Sequence, residues 1–152
     1  LYEASQAGVK IRGVVRGMCS LKPGVEGLSE NIYITSIVDR YLEHPRVMLF
    51  NNGGDEELFI SSADWMKRNL DLRIEVGARV LDPDLQKRIK GILKLQEQDN
   101  RKARIIDAEQ KNVYVQAQAG NPQVRAQIDI HEYLASEEEK IAKELNSEEN
   151  KA

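Results

Sequence analysis

The stretch Ser36–Trp65, SIVDRYLEHPRVMLFNNGGDEELFISSADW, is the part of this 152-residue chain around which the rest is arranged. It holds one histidine, His44, between two β-rich segments. Arg46 leads into the apolar run Val47-Met48-Leu49-Phe50, and Asn51-Asn52-Gly53-Gly54-Asp55 follows. This reads as a strand ended by a hairpin turn, because Asn and Gly supply the positive φ angles that such turns need. Glu57 to Ile60 is then the returning strand, and Ser61-Ser62-Ala63-Asp64-Trp65 leaves it on small, hydrogen-bonding residues. The reading predicts that His44, Arg46, two asparagines and two serines converge near the ends of two paired strands, an arrangement that can hold an anion.

Working outward toward the N-terminus, Leu1 to Ala7 reads as a helix end stopped by Gly8. Lys10 to Gly17, KIRGVVRG, alternates charged and apolar residues as a strand does. Arg12 and Arg16 share a face by their even spacing, and Arg16 stands at the strand end, within reach of a ligand. The loop Met18 to Asn31 carries Pro23, Gly24 and Gly27, and its length suggests a functional surface loop. Asn31 to Val38 is a second β-rich run, and an irregular segment with Arg40 and Glu43 delivers His44.

Toward the C-terminus, Trp65 and Met66 are expected to pack a short turn onto the core. Arg73 to Leu81 alternates as a strand with Ile74, Val76, Ala78 and Val80 on one face. Asp82-Pro83-Asp84 opens a helix to about Gln98, since Asp82 can cap and proline suits the first helical position. Its predicted buried stripe is Leu85, Ile89, Ile92, Leu93 and Leu95, and Asn100 ends it. Lys102–Ile106 and Val113–Val115 flank a turn-rich segment as a small hairpin. From Pro122 onward Val124, Ile128, Ile130 and Leu134 support a last helix, whose charged continuation ASEEEKIAKELNSEENKA extends into solvent or frays.

Composition bounds the classes. The length suits one domain with its own core, and 41% hydrophobic with 31% charged residues is the balance of a globular protein. A net charge of −3 offers no global attraction to nucleic acid or to an anionic membrane, so an anion site must be local. The single cysteine, Cys19, excludes an internal disulfide and a paired-cysteine metal site, fits a reducing compartment, and is read as a small buried residue. No run approaches the ~18 apolar residues of a bilayer span. The chain opens on Leu1 with what reads as the last turns of a helix, so a piece of a longer protein is expected.

Each candidate has an ordinary explanation as well. A lone histidine is more often a surface or capping group than a catalyst, and His131 lies in an amphipathic terminal helix. Gly53-Gly54 is a turn rather than a phosphate loop, since no helix N-terminus follows it in the required arrangement. Arg16, Arg68 and Arg73 suit ordinary ion pairs, and it is their company with His44 that singles them out.

Several linked motifs carry a resemblance. Arg16-Gly17-Met18-Cys19-Ser20-Leu21, Pro23-Gly24, Leu28-Ser29-Glu30-Asn31-Ile32 and Ser36-Ile37-Val38-Asp39-Arg40-Tyr41-Leu42-Glu43-His44 resemble the C-terminal part of bacterial polyphosphate kinase. Asn52-Gly53-Gly54-Asp55, Ser61-Ser62-Ala63-Asp64-Trp65-Met66, Arg68-Asn69, Arg73 and Glu75-Val76 continue it, as do Asp82-Pro83, Lys102-Ala103-Arg104 and Val124-Arg125-Ala126-Gln127. The resemblance implies an α/β phospholipase D-like half-domain, a mixed β-sheet flanked by helices, over residues 1–135, with 136–152 a charged tail or helix extension. Two such halves face each other, each giving one histidine. The phospholipase D pattern of histidine, a basic residue two positions on, an aspartate some five further and a later Gly/Ser-x-Asn is compared here with His44, Arg46, Asn51 and the Ser61-Ser62-Ala63-Asp64 run, so it is degenerate beyond the histidine.

What the resemblance implies chemically is reversible transfer of the ATP γ-phosphoryl group to inorganic polyphosphate through a phosphohistidine on the other half of the polypeptide. His44 would assist, and Arg16 would bind nucleotide phosphates with Arg46 and Arg68 as helpers. Arginine meets phosphate oxygens in a forked geometry that lysine lacks. Magnesium would help, its ligands outside this piece, and no residue of the chain is assigned to metal. The resemblance further implies a homo-oligomer, cytoplasmic or peripheral at the inner membrane, and a 152-residue piece that folds but does not catalyse. Two other classes stay open: a homodimeric phospholipase D-like phosphodiesterase or nuclease built on two copies of His44, and a non-catalytic polyphosphate- or nucleotide-binding module that needs only Arg16 and its neighbours.

Overall fold

A computed structural model describes residues 1–117 and 119–149; the last three residues of the charged tail lie outside it. The chain forms helix α1 (Tyr2–Gln6), strands β1 (Ile11–Val15), β2 (Ile32–Ile37), β3 (Val47–Phe50) and β4 (Glu57–Ser61), helix α2 (Lys67–Leu72), strand β5 (Gly77–Arg79), helix α3 (Pro83–Gln98), strand β6 (Ala103–Ile106) and helix α4 (Ala126–Glu149). These fall into two units, one of residues 1–42 with the chain from Gly91 onward, the other Glu43–Lys90. The fold is α/β with two three-stranded sheets, where the sequence suggested one. Among the described residues no helix is long and apolar enough to cross a membrane.

In the first unit β2 is the central strand, parallel to β1 and antiparallel to β6. A strand covered on both faces needs apolar or small residues, and Ile32, Ile34, Thr35, Ser36 and Ile37 are buried while Tyr33, near the start of the strand, is exposed. Gly13 pairs with Ile34, and a Cβ at this glycine would stand 2.7 Å from the Ile34 Cδ1 atom, so β1 approaches β2 this closely only because residue 13 has no side chain. On the far side of β6, Ile105 N–H donates to the Val113 carbonyl and Val115 N–H to the Ala103 carbonyl, which closes the small hairpin expected there.

The end of α3 is tied to the rest by one buried side chain. Asp99 is 1% exposed. Its Oδ1 accepts the backbone N–H groups of Arg101, Lys102 and Ala103 at 2.9, 2.6 and 2.9 Å, and its Oδ2 accepts the first N–H of α4, from Ala126, at 2.7 Å. The neighbouring Asn100 side chain donates to the Pro122 carbonyl and accepts from Val124 N–H. The core of Ile37, Ala103 and Ala126 assembles around this knot. The segment after β2 is fastened to the same helix: Arg125 donates to both oxygens of Asp39, each at 2.8 Å, and the Gln127 amide exchanges two hydrogen bonds with the backbone of Tyr41.

The second unit is an antiparallel sheet in the order β3-β4-β5. Its turn has Asn52, Gly53 and Gly54 at φ 43°, 68° and 105°, the left-handed conformations that these residue types permit. Asp82 caps α3 as expected, its Oδ1 accepting Asp84 and Leu85 N–H at 2.9 Å.

Four expectations are corrected. The strand predicted over Arg73–Leu81 is only Gly77–Arg79, because β5 pairs with β4 alone and residues 75 and 76 are bonded to Ser62 instead. Its alternation marks no buried face, for Ile74 is 100% exposed while only Val80 is buried. Trp65 is 60% exposed; the buried residues nearby are Ala63 and Asn69. The α3 stripe is at most half-buried, with Gln96 the buried position, one turn before the Asp99 anchor that draws this end inward. Cys19, in an exposed loop, is half-buried.

Two predictions follow from these ties. Each backbone N–H left buried without a partner costs about 1–3 kcal/mol. In urea unfolding of the 152-residue chain, Asp99→Ala is therefore expected to abolish the cooperative transition. Asp99→Asn, which turns one acceptor oxygen into a donor, should lower stability by about 1–3 kcal/mol. For Asp39, the Arg125 hydrogen bond and charge outweigh the opposing effect of burial and hold the carboxyl below its ordinary range. A carboxylate depressed on folding stabilises above its unfolded pKa and loses that contribution as pH falls through the folded value. The stability gap between wild type and Asp39→Asn should thus be full at pH 7 and shrink as the medium is acidified below about pH 4.

Candidate functional site

The site of interest is set by the register of the β3–β4 hairpin. Val47 pairs with Ile60, and one step beyond, Ser61 N–H donates to the Arg46 carbonyl at 2.8 Å. His44, Arg46, Ser61, Ser62 and Asp64 therefore lie at one end of the hairpin. Asn51 and Asn52 are in the turn at the other end, beyond four strand residues, so that Asn51 is five steps from Arg46, roughly 17 Å at the usual rise. The predicted convergence is corrected accordingly: the asparagines shape the turn and take no part in the His44 cluster, because an antiparallel pair places turn and open ends apart.

Asp64 joins the cluster instead. Its Oδ1 accepts Arg46 Nε–H at 2.8 Å and lies 3.1 Å from His44 Nε2. Arg46 Nη2 stands 2.8 Å from His44 Nε2 and 3.3 Å from Nδ1. The His44 side chain is 52% exposed, with Arg46 and Asp64 more enclosed. The Arg46 hydrogen bond, then that of His44, lowers the Asp64 pKa from its ordinary value against the effect of desolvation. The result is a held carboxylate, a permanent cation and a half-exposed imidazole in direct contact. Such a group can bind an anionic oxygen and exchange a proton with it.

A second network stands behind this one. Ser62 Oγ–H donates to Glu75, Asn69 Nδ2–H donates to the other Glu75 oxygen at 2.7 Å, and the Ser62 hydroxyl oxygen accepts Val76 N–H at 3.0 Å. These bonds, with the charges of Arg73 and Arg46, hold the Glu75 carboxyl below its ordinary range. Ser62 thus fixes the loop that carries Asp64 against the segment before β5. Asn69 is 2% exposed, and its Oδ1 is buried without a hydrogen-bond partner among the described residues.

Of the residues singled out from sequence, His44 and Arg46 are brought into contact. Arg68 is exposed on α2 and makes none of the hydrogen bonds of the His44 cluster among the described residues. Arg16 follows β1 in the other unit and is exposed. His131 is exposed on α4. Sequence reasoning placed Asp64 only within the Ser61–Asp64 run and assigned no role to it or to Glu75. For Asp64 the signal was available, since counting back from the Asn-Gly-Gly turn sets Ser61 beside Arg46 and carries the chain on to Asp64 three residues later. Among the described residues no group of three or more His, Cys, Asp or Glu side chains is placed to hold a metal ion.

Comparison with known proteins agrees in sequence and in shape. Residues 1–127 match the family model described as polyphosphate kinase C-terminal domain 2. The chain is 54% identical over 149 residues to a polyphosphate kinase of Vibrio cholerae, covering 98% of this chain and 21% of that protein. It is 52% identical over 139 residues to a polyphosphate kinase of Escherichia coli K12, covering 91% of this chain and 20% of that protein. The crystal structure of the polyphosphate kinase from Porphyromonas gingivalis superposes with a TM-score of 0.87 at 51% sequence identity, over 92% of this chain and 21% of that one. The chain thus spans about a fifth of the length of these relatives. A family model matched over residues 1–127 leaves the family in no doubt: the chain belongs to the polyphosphate kinase C-terminal domain 2 family.

Proposed function

We propose that this chain is the C-terminal catalytic domain of a polyphosphate kinase, a phospholipase D-like half-domain over residues 1–135 with a charged helical extension, and that it serves reversible transfer of the ATP γ-phosphoryl group to inorganic polyphosphate. The observation that carries the reading is the His44–Arg46–Asp64 cluster at the open end of the hairpin, in a chain that matches this family. In the reaction so read, a histidine nitrogen in another part of the polypeptide attacks the γ-phosphorus, an N–P bond forms and the bond to the departing ADP oxygen breaks. A terminal oxygen of polyphosphate then attacks the phosphohistidine, and the histidine is released.

The chain's own residues act on charge and protons. Negative charge is spread over the phosphoryl oxygens during transfer, so fixed cations aimed at them provide much of the rate effect. Arg46 has the required character, because Asp64 holds its Nε and the side chain is therefore positioned before substrate arrives. Arg16 would bind nucleotide phosphates by its fork of donors, with Arg68 in a supporting role. His44 would hydrogen-bond the transferring group or exchange a proton with a phosphate oxygen, as suits a side-chain type that ordinarily titrates near neutrality. Magnesium, which such chemistry commonly uses, meets no group of three or more His, Cys, Asp or Glu side chains placed to hold it among the described residues. We place the whole protein in the cytoplasm or peripherally at the inner membrane, as a homo-oligomer whose partners are ATP, ADP and polyphosphate rather than nucleic acid.

The test is ATP-dependent polyphosphate synthesis by the full-length parent protein, wild type and His44→Ala, with radiolabelled phosphate retained on the protein measured in parallel. A folded His44→Ala protein is expected to lose turnover by about 100-fold or more, the scale of a general acid–base contribution, and the 152-residue chain alone should synthesise none. Full activity of His44→Ala would make His44 structural and overturn the assignment.

A further inference from the structure

We propose that the bare apolar end of one face of the β3-β4-β5 sheet is an interface within the parent polypeptide, seated against the part of that polypeptide outside these 152 residues. The proposal goes beyond the phosphoryl-transfer reading and does not depend on it. Ile74, Val76, Ala78 and Val80 alternate with Arg73, Glu75, Gly77 and Arg79, a pattern that the fold leaves unexplained. Such alternation belongs to a strand with one face against apolar cover and the other in water. Among the described residues only its Val80 end is covered.

Register decides which residues share the face. Val47 pairs with Ile60 and Ile60 with Ala78, while Leu49 pairs with Leu58, and Val80 N–H donates to the Leu58 carbonyl at 2.8 Å. Paired residues point the same way and alternate along each strand, so Val47, Leu49, Leu58, Ile60, Ala78 and Val80 lie on one face, and all six are apolar. Toward the turn the chain covers this face itself, for Leu58 and Val80 are buried. Toward the open end Ile60 is 45% exposed and Ala78 is exposed. Ser62 N–H donates to the Val76 carbonyl at 2.9 Å, which continues the antiparallel pairing by one row. Val76, in step with Ala78, is 67% exposed, and Ile74 is wholly in water.

A contiguous apolar patch left open on a folded chain marks an interface. The length of the relatives points to the occupant. Those of Vibrio cholerae and Escherichia coli match 98% and 91% of this chain, yet the match covers only 21% and 20% of each, so most of such a polypeptide lies outside it. A domain joined by the same chain fills a small face ahead of a second copy, because joining turns a bimolecular encounter into an intramolecular one. The bare rows also adjoin the site. Ser61, one step beyond Ile60, bonds to the Arg46 carbonyl. An element seated on Ile60, Ala78 and Val76 therefore stands beside the end of the hairpin that carries His44, Arg46 and Asp64.

The test has two arms. In the full-length parent protein, a photoreactive benzophenone side chain is placed at position 74, and in a second variant at position 76, and the products of irradiation are resolved by denaturing electrophoresis and peptide mass spectrometry. The expected product has the mass of one polypeptide and contains a peptide joining position 74 or 76 to a segment outside the 152 residues. A crosslinked dimer would assign the face to a second copy and overturn the proposal. Crosslinks confined to the 152 residues, or none from either position, would overturn it as well.

The second arm compares thermal unfolding of Ile74→Asp and Val76→Asp with wild type, both in the 152-residue chain and in the parent protein. In the chain these side chains already stand in water, so the midpoint should not move. In the parent protein a carboxylate forced against apolar cover should lower it by several degrees. An unchanged midpoint in the parent protein would count against the interface, and so would an equal fall in both proteins. Neither arm reads catalysis, so the outcome stands whatever His44→Ala shows about phosphoryl transfer.

Discussion

The Asp99 carboxylate is the constraint on which the first unit depends. A carboxylate taken out of water needs hydrogen-bond donors in its place. Here four backbone N–H groups converge on it, from the turn after α3, the start of β6 and the first residue of α4. The exchange is mutual, since helix and strand beginnings leave N–H groups that need acceptors and the carboxylate needs donors. One side chain thereby fixes where a helix ends, where the central sheet gains its third strand and where the long terminal helix starts. The Asp39–Arg125 pair and the Gln127–Tyr41 amide contacts then bind the segment leaving β2 to that same helix.

The second unit uses a carboxylate differently. Asp64 is partly exposed, and its partners are side chains rather than backbone groups that must be satisfied. In high dielectric such bonds add little stability. Their value is geometric, for a guanidinium and an imidazole that share one acceptor oxygen cannot move independently. Several hydrophobic residues of this unit are exposed, Leu70, Leu72, Ile74 and Leu81 among them, and its order rests on the sheet, on a small buried set of Leu58, Ala63 and Val80, and on the Ser62–Glu75–Asn69 bonds.

Much of the local structure was legible from residues alone. Gly8 stops α1 at φ 87°, Asp82-Pro83 opens α3, and the Asn-Gly-Gly turn reverses the hairpin, each because a backbone conformation or a cap is decided within three or four residues. Where alternation was read as burial it misled. Ile74 and Val76 have the spacing of a core strand, yet β5 is a three-residue edge strand and neither side chain is covered. Periodicity reports which residues share a face; whether anything lies against that face is settled by other parts of the chain.

The sequence by itself determined the family, through motifs spread in consistent order over the chain, and it determined the proximity of His44 to Arg46, two residues apart before the same strand. Only the tertiary structure decided that Asp64, twenty residues on, shares its oxygen with both, that Asn51 and Asn52 stand at the opposite end, and that Asp99 is the knot of the first unit. The physical reason is range. Turns and caps are fixed by bonds a few residues long, whereas a side-chain cluster depends on strand register and on which backbone donors are left without partners once the strands have paired.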